Sequence, residues 1–333
     1  MLREISTLTI VSFSLLFIAC EDKPTDNKKE TVVKTELKKM DFIIDWQPEP
    51  TYLGVYYALD TKEFEKIGYD MTIQTSWGAH QAVAAIASGK YSIGTASGGA
   101  TILARSNGTP IKSLGVLYKD IPTVIYGLSS KTMAKSPKDI EGMKVGIYPG
   151  SINNDEFKAF VKTNGLDMNK ITKVALSGGD ISILKSGEVD AVVNYTETSP
   201  AVVDVDTSFK KVDGKRVWRL YLKEHGVKSY GLNIITSDKA FSENSKELKK
   251  LTQAVYNGYT NACKNPTDAV QKFMKRFPDK NKAHITHGYT LVCKQLTTPI
   301  GKQDTEGWEK TIDLFSQLAL LKDFVDAKKI IAD

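Results

Sequence analysis

Aromatic and acidic side chains suited to recognising a small ligand gather in two short loops of the sequence. The first loop contains Trp46 and Tyr52, and the second contains Tyr195 and Glu197. Flat aromatic walls with a few hydrogen-bonding groups are typical of sites that hold a planar heterocycle or a similar small polar molecule. The sequence therefore predicts a ligand-binding site. Its candidate contacts are Trp46, Tyr52, Tyr56, Ser97, Ser151, Tyr195 and Glu197.

Side chains that carry out catalysis do not occur in a recognisable arrangement. Of the four histidines, only His284 and His287 are spaced to share a helix face, and no cysteine or carboxylate with zinc-ligand spacing accompanies them. We interpret these two as a surface pair. The sequence also has no Gly-x-Ser-x-Gly, phosphate-loop or dinucleotide-binding motif. We therefore expect no catalytic residue, no metal and no cofactor.

Each of the two loops follows a short apolar run that is typical of a buried strand. Residues 42–44 precede the first loop, Pro48 and Pro50 hold it extended, and a helix begins near Gly54. Residues 187–193, which end in the apolar stretch 191–193, are predicted to form the buried strand before the second loop. Because ligands of open α/β sheets bind at the carboxyl ends of the strands, we expect both loops to face one cleft.

The two candidate serines each precede a predicted helix. Ser97 lies in a run of small residues, 95–100, which would let a ligand approach the backbone and its free N–H groups. A simple N-cap of the following helix is the alternative for this serine. Ser151 follows the turn Pro149-Gly150 after a predicted strand in the second half of the chain.

Several segments resemble the ABC-transporter substrate-binding proteins of the thiamine-pyrimidine and sulfonate-binding type. The pair Asp45-Trp46, the proline-containing loop and Gly54-x-Tyr56-x-Ala58 match the start of the mature chains of this family. Residues 136–143 resemble the beginning of its second lobe, with departures at Ser136 and Met143. Residues 187–191 resemble its glycine-x-valine-aspartate-alanine strand. The resemblance covers about residues 40–236.

The resemblance implies an α/β chain with the type II periplasmic-binding-protein fold, in which two lobes meet at a hinge. We expect lobe 1 to comprise residues 39–125 and 232–333, and lobe 2 to comprise residues 126–231. The hinge is expected near 123–128 and 229–232. The end of the chain, from Glu243 onward, is predicted to be a mainly helical tail.

The same resemblance suggests what the site would bind. In the pyrimidine-binding relatives an acidic residue after this strand accepts hydrogen bonds from a ring amine, which assigns that role to Glu197 and stacking to Tyr195. Asp45 is expected to contact the ligand or to brace its own loop. A sulfonate, a flavin or another small solute remains an alternative, although no arginine lies in these loops to pair with a sulfonate.

The first twenty residues have the pattern of an export signal. Arg3 precedes an apolar run over residues 8–19 that is too short to span a bilayer comfortably. Ala19-Cys20 resembles a bacterial lipobox, although Phe17 departs from it. We therefore predict a signal peptide (1–19), lipidation at Cys20 and a flexible polar tether (20–38), with an uncleaved anchor or an ordinary signal peptide as alternatives. The spacing of Cys263 and Cys293 neither favours nor opposes a disulfide.

The bulk composition agrees with a two-lobed binding protein. The chain has 333 residues, enough for two cores, and its formal net charge of +6 is spread along the sequence. We see no basic aromatic motif for nucleic acid. The prediction is an exported solute-binding protein whose partners are a small molecule, an ABC permease with its ATPase, and the membrane through Cys20. A pyrimidine-synthase-like enzyme and a solute sensor are the rival classes.

Overall fold

Two β-sheets flanked by helices make up the part of the chain that the structure, a computed structural model, describes, residues 36–332. The predicted signal peptide, Cys20 and nearly all of the predicted tether lie outside these residues. Among the described helices, none combines the length and apolar character needed to cross a membrane.

The first stretch alternates strands and helices. Phe42 and Ile43 of the apolar run before the opening loop belong to the first strand, and Gly68, at φ 93°, ends the turn that leads into the second. The elements are β1 (Lys38–Ile43), α1 (Leu53–Asp60), β2 (Tyr69–Gln74), α2 (Ala79–Ala87), β3 (Ile93–Ser97), α3 (Gly98–Ser106) and β4 (Ile111–Tyr118).

The middle stretch repeats this alternation around a second sheet. Its elements are β5 (Thr123–Leu128), β6 (Lys144–Ile147), α4 (Ile152–Thr163), β7 (Thr172–Ala175), α5 (Asp180–Ser186), β8 (Ala191–Tyr195), α6 (Ser199–Val205) and β9 (Val217–Tyr221). The chain then returns to the first sheet. The remaining elements are β10 (Leu232–Ser237), α7 (Asp238–Lys264), α8 (Pro266–Arg276), α9 (Lys282–Gln295), β11 (Leu296–Gly301), α10 (Thr305–Gln317) and α11 (Ala327–Ile330).

The two sheets share one connectivity. The first has the strand order β11-β4-β10-β3-β1-β2, and the second has the order β7-β6-β8-β5-β9. Strand β10, which the chain reaches from the second sheet, pairs antiparallel with its neighbours in the first sheet. Strand β5, which the chain reaches from the first sheet, pairs antiparallel with its neighbours in the second. By contrast, β1 with β2 and β6 with β7 pair parallel. The first sheet with α1–α3 and α7–α9 is called lobe 1 below, and β5–β9 with α4–α6 is called lobe 2.

The chain passes between the lobes at residues 119–122 and returns at residues 226–231. The predicted boundary after residue 125 would divide β5, yet this strand pairs over its whole length with β8 or β9. The first crossing therefore lies before Thr123 and not within 123–128. The predicted helical tail also contains a strand, because β11 pairs with β4 at the edge of the first sheet.

Helix α1, which fixes the far end of the opening loop, packs closely against α7. A Cβ atom added at Gly54 would lie 2.3 Å from Cγ of Tyr259, and one added at Gly258 would lie 2.3 Å from the carbonyl oxygen of Gly54. Only glycine fits at this crossing, because any larger side chain would push the helices apart. The close contact holds α1, and therefore the loop before it, in one position.

Helix α10 contacts both lobes. Trp308 is fully buried beside Tyr230 of the second crossing, with ring centroids 5.1 Å apart. At the other end of the helix, Leu318 packs into the core of lobe 2, and its carbonyl oxygen accepts a hydrogen bond of 2.8 Å from Lys162 Nζ. The apolar stripe of this helix, which includes Ile312 and Phe315, is buried.

A disulfide joins Cys263 at the end of α7 to Cys293 in α9, with the two Cα atoms 5.8 Å apart. The sequence left this pairing open, because nothing in the spacing of the cysteines reports how two distant helices pack. The bond closes a loop of 30 residues that includes all of α8. It therefore ties together the three helices that cover one face of lobe 1.

Removing this disulfide should destabilise the protein. Since the bond restricts the unfolded chain over a 30-residue separation, we expect Cys263→Ala with Cys293→Ala to lower the free energy of unfolding by about 3–4 kcal/mol. Urea denaturation of residues 21–333 measures this. Reductant should lower the stability of the wild-type protein and leave the double variant unchanged. Equal stability of the wild-type protein and the variant would contradict the prediction.

Candidate ligand-binding site

A cleft lies where the carboxyl ends of strands from both lobes meet. It holds about 460 Å³ of space free of protein atoms, counted with its open mouth. Lobe 1 contributes the loop after β1 and the start of α2, and lobe 2 contributes the starts of α4 and α6 with the end of β8. The lining residues are Asp45, Trp46, Glu49, Thr51, Tyr52, Gly78, Ala79, Tyr148, Ser151, Ile152, Asn153, Tyr195 and Thr198.

Asp45 braces the loop that carries the aromatic residues. Its Oδ1 atom accepts hydrogen bonds from the Tyr52 hydroxyl at 2.9 Å and from Thr95 Oγ1 at 2.6 Å. Burial raises the pKa of this carboxyl above its ordinary value, and the two hydroxyl donors oppose that effect in part. The two donors hold Asp45 between β3 and the start of α1, which fixes the ring of Tyr52 against the cleft.

Trp46 meets lobe 2 across the cleft. Its ring lies 5.4 Å from that of Tyr148, measured between centroids, at an angle of 74°. On its other side it makes an edge-on contact of 6.0 Å with Trp77, which is 66% exposed. Edge-to-face contacts of this kind are favourable but weak, at roughly 0.5–1.5 kcal/mol. A planar ligand could therefore take the place of the Trp46–Tyr148 contact when the lobes separate slightly.

Two helix N-termini face each other at the cleft. A Cβ atom added at Gly78, which precedes α2, would lie 2.8 Å from the carbonyl oxygen of Gly150 before α4. The Ser151 hydroxyl donates to the carbonyl oxygen of Tyr148 at 2.9 Å and does not cap α4. The first-turn N–H groups of α4, at Ile152 and Asn153, are therefore not capped by a side chain, so they can donate to a polar group of a ligand.

Four of the seven predicted contacts line the cleft: Trp46, Tyr52, Ser151 and Tyr195. Tyr56 does not. It is 4% exposed and packs edge-on against Phe273 and Phe277. Tyr56 lies one helical turn after Tyr52, where α1 packs against α8.

Ser97 does not line the cleft either, and its position matches the alternative given for it. Its side chain is fully buried and accepts a hydrogen bond of 3.1 Å from the N–H of Ala100, so it is the N-cap of α3.

Glu197 lies one layer behind the cleft and not on its surface. Its side chain is fully buried, where Oε1 accepts from Thr51 Oγ1 at 3.0 Å and Oε2 accepts from Gln295 Nε2 at 3.3 Å. Thr51 and Gln295 belong to lobe 1, whereas Glu197 follows β8 of lobe 2. The preceding Thr196 donates twice to the carbonyl oxygen of Pro122 in the first crossing. The carboxyl group therefore joins the lobes beside the hinge.

Burial dominates the electrostatics of Glu197. Loss of water raises the pKa of its carboxyl to about 7, against the opposing effect of the backbone N–H, Gln295 and Thr51 donors. His284 also contacts this loop, with Nε2 lying 3.2 Å from the carbonyl oxygen of Glu197. His284 is only 6% exposed, so its predicted place in a surface pair was wrong, and burial lowers its pKa.

Sequence reasoning missed several lining residues that had a readable signal. Tyr148 follows β6 directly, and a place at the carboxyl end of a predicted strand was the property that identified Trp46 and Tyr195. Glu49 stands between the two prolines of the opening loop. Thr51 and Asn153 carry no such pattern. Within residues 36–332, no group of three or more histidine, cysteine, aspartate or glutamate side chains is arranged to hold a metal ion.

The fold and its interlobe cleft define a two-lobed binding-protein architecture. The structure superposes on the periplasmic aliphatic sulphonate binding protein SsuA from Escherichia coli with a TM-score of 0.71 and 16% identity, over 89% of this chain and 97% of the other. The alkanesulfonate-binding protein SsuA from Xanthomonas axonopodis pv. citri gives 0.69 and 15%, over 89% and 98%. The predicted periplasmic-binding-protein fold is confirmed.

Residues 49–269 match the family described as NMT1/THI5 like, and the chain belongs to that family. It is 24% identical to a formylaminopyrimidine-binding protein of Halalkalibacterium halodurans over 90% of this chain and 89% of the relative. It is 22% identical to the riboflavin-binding protein RibY of Chloroflexus aurantiacus over 92% and 87%. A pyrimidine phosphate synthase of Saccharomyces cerevisiae, THI5, matches 46% of this chain at 24% identity. The predicted family resemblance is confirmed.

Proposed function

We propose that this chain is the extracytoplasmic solute-binding protein of an ABC importer, and that it captures a small planar nitrogen heterocycle such as a thiamine-pyrimidine precursor. The observation that carries the proposal is the pair of rings that meets across the cleft, Trp46 from lobe 1 and Tyr148 from lobe 2. Closure of the lobes around a solute would be hinge motion about residues 119–122 and 226–231, favoured by contacts that only the closed state makes.

The lining of the cleft favours a heterocycle over an anion. Asp45 and Glu49 are both acidic, and the lining residues in the described part of the chain include no arginine or lysine. A sulfonate would meet two carboxyl groups and no cationic side chain among these lining residues.

The partners and location follow from the proposed role. An ABC permease and its ATPase would receive the solute, and a lipid on Cys20 would hold the protein at the membrane. The Cys263–Cys293 disulfide supports an oxidising compartment outside the cytoplasm. Binding without chemistry fits the two relatives described above that match over 89% and 87% of their own length, both of which are named as binding proteins.

A thermal-shift panel tests the proposal on residues 21–333. The panel contains thiamine-pyrimidine precursors, nucleobases, flavins and sulfonates, and calorimetry follows for the best compound. A ligand at 100 times its Kd should stabilise the fold by about 2.7 kcal/mol. We expect that stabilisation from an amino-substituted pyrimidine. No shift with any compound of the panel, or an imine absorbance after addition of pyridoxal phosphate, would reject the binding-protein proposal, whereas a shift with sulfonates alone would reject the heterocycle as its ligand.

A further inference from the structure

Glu49 is an acidic residue at the cleft with an unused hydrogen-bonding atom. Its Oε1 atom accepts a hydrogen bond of 2.7 Å from Lys280 Nζ, which lies just before α9. Its Oε2 atom is buried and has no hydrogen-bond partner among the described residues. Pro48 and Pro50 on either side restrict the backbone of the loop that carries Glu49.

The other acidic groups near the cleft already have donors. Asp45 accepts from two hydroxyl groups, and Glu197 accepts from Thr51 and Gln295 behind the cleft wall. A buried acceptor left without a donor destabilises the protein, and more so when it is charged. A ligand N–H group that reached Glu49 Oε2 would supply the missing donor. This atom is therefore a favourable contact for a ligand donor and an unfavourable one for a ligand acceptor.

The opposite wall has the complementary character. The uncapped N–H groups at Ile152 and Asn153 are donors and suit a ligand acceptor such as a ring nitrogen or a carbonyl oxygen. A ligand with an acceptor at one edge and an amino group at the other would satisfy both walls while its ring lies between Trp46 and Tyr148. The order of the groups across the cleft thus sets the orientation of the ligand.

We infer that Glu49 is the residue that determines specificity in this cleft, and that its Oε2 atom accepts a hydrogen bond from an exocyclic amino group of the ligand. The inference rests on the proposed function and deepens it. The sequence had assigned this role to Glu197. Amino-substituted heterocycles are therefore preferred over oxo-substituted ones, because a carbonyl oxygen placed against Glu49 would oppose a second acceptor.

Two probes that differ in one group test the inference: 4-amino-5-hydroxymethyl-2-methylpyrimidine and its 4-oxo counterpart. Calorimetry with the wild-type protein should show at least tenfold tighter binding of the amino probe. Glu49→Ala should weaken the amino probe at least tenfold and the oxo probe less than threefold. Glu49→Gln, whose amide can donate as well as accept, should bind the oxo probe better than the wild-type protein does.

The controls separate this inference from the proposed function. Glu306→Gln removes a carboxylate from an exposed position on α10 and should leave both affinities unchanged. Melting curves of each variant confirm that it is folded. An unchanged ratio of the two affinities in Glu49→Ala would overturn the role of Glu49 while leaving a binding protein in place. Failure of every compound in the wider panel to bind the wild-type protein would instead overturn the proposed function.

Discussion

Replacing Trp46 with alanine should weaken binding of the best ligand by about tenfold or more, which corresponds to roughly 1.4 kcal/mol. The reason is geometric, because Trp46 provides the wall of lobe 1 that faces Tyr148 5.4 Å away. Truncation removes the aromatic surface that would stack on a planar ring and leaves the cleft open on that side. Calorimetry on the wild-type protein and the variant measures the change.

The neighbouring tryptophan is the matched control for this experiment. Trp77 contacts Trp46 at 6.0 Å but is 66% exposed and does not line the cleft. We expect Trp77→Ala to change the affinity less than threefold, and Trp46→Phe to retain most of it. If Trp46→Ala binds as tightly as Trp77→Ala, the ligand does not use the wall that we describe.

Glu197→Gln should stabilise the protein at high pH and not at low pH. The pKa of this carboxyl is raised in the folded state to about 7, from an ordinary value of 4.5. Protonation of this carboxyl therefore contributes its full stabilisation of the folded state below pH 4.5, and that stabilisation is lost as the pH rises through 7. The difference of about 2.5 pKa units amounts to roughly 3 kcal/mol at pH 8. Glutamine, which does not titrate, avoids this loss.

Among residues 36–332, the titratable groups that face Glu197 do not supply a cation that would offset the loss. The titratable groups that face it are Glu49 in the loop after β1, Tyr118 in β4, Tyr195 at the end of β8, Tyr259 in α7 and His284 in α9. None of them is a lysine or an arginine. Burial lowers the pKa of His284, which disfavours a positive charge there at pH 8.

Urea denaturation from pH 4.5 to pH 8 measures this effect. The free energy of unfolding of Glu197→Gln minus that of the wild-type protein should rise by roughly 3 kcal/mol over the range. Glu306→Gln, an exposed carboxylate on α10, controls for the removal of one negative charge. A difference that stays constant with pH would show that the Glu197 carboxyl does not titrate as its burial implies.

The site was located in the sequence because several of its residues lie just after predicted strands. Trp46, Ser151 and Tyr195 were predicted because loops at the carboxyl ends of strands face the ligand, and all three line the cleft. The same reasoning, applied without exception, would also have identified Tyr148. The general fold followed from the alternation of apolar runs and helices and from the family resemblance.

What the sequence could not supply were contacts between distant segments. Tyr56 is spaced one helical turn from Tyr52, yet α8, more than 200 residues away, covers it. The burial of Glu197 depends on Thr51 and Gln295, which are 146 and 98 residues distant. Strand β11 was missed because its apolar pattern is weak and Pro299 interrupts it, which is tolerated only at the edge of a sheet.

Helix α10 limits how this protein can be divided into fragments. Trp308 is buried at one end of α10 against lobe 1, and Leu318 is buried at the other end in the core of lobe 2. Neither lobe expressed alone would therefore bury both ends of this helix. Fragments cut at the two crossings would expose apolar surface and aggregate. A split reporter or a fluorescent sensor built from this scaffold should therefore retain residues 305–318 in an unbroken chain, with its labels placed on opposite rims of the cleft.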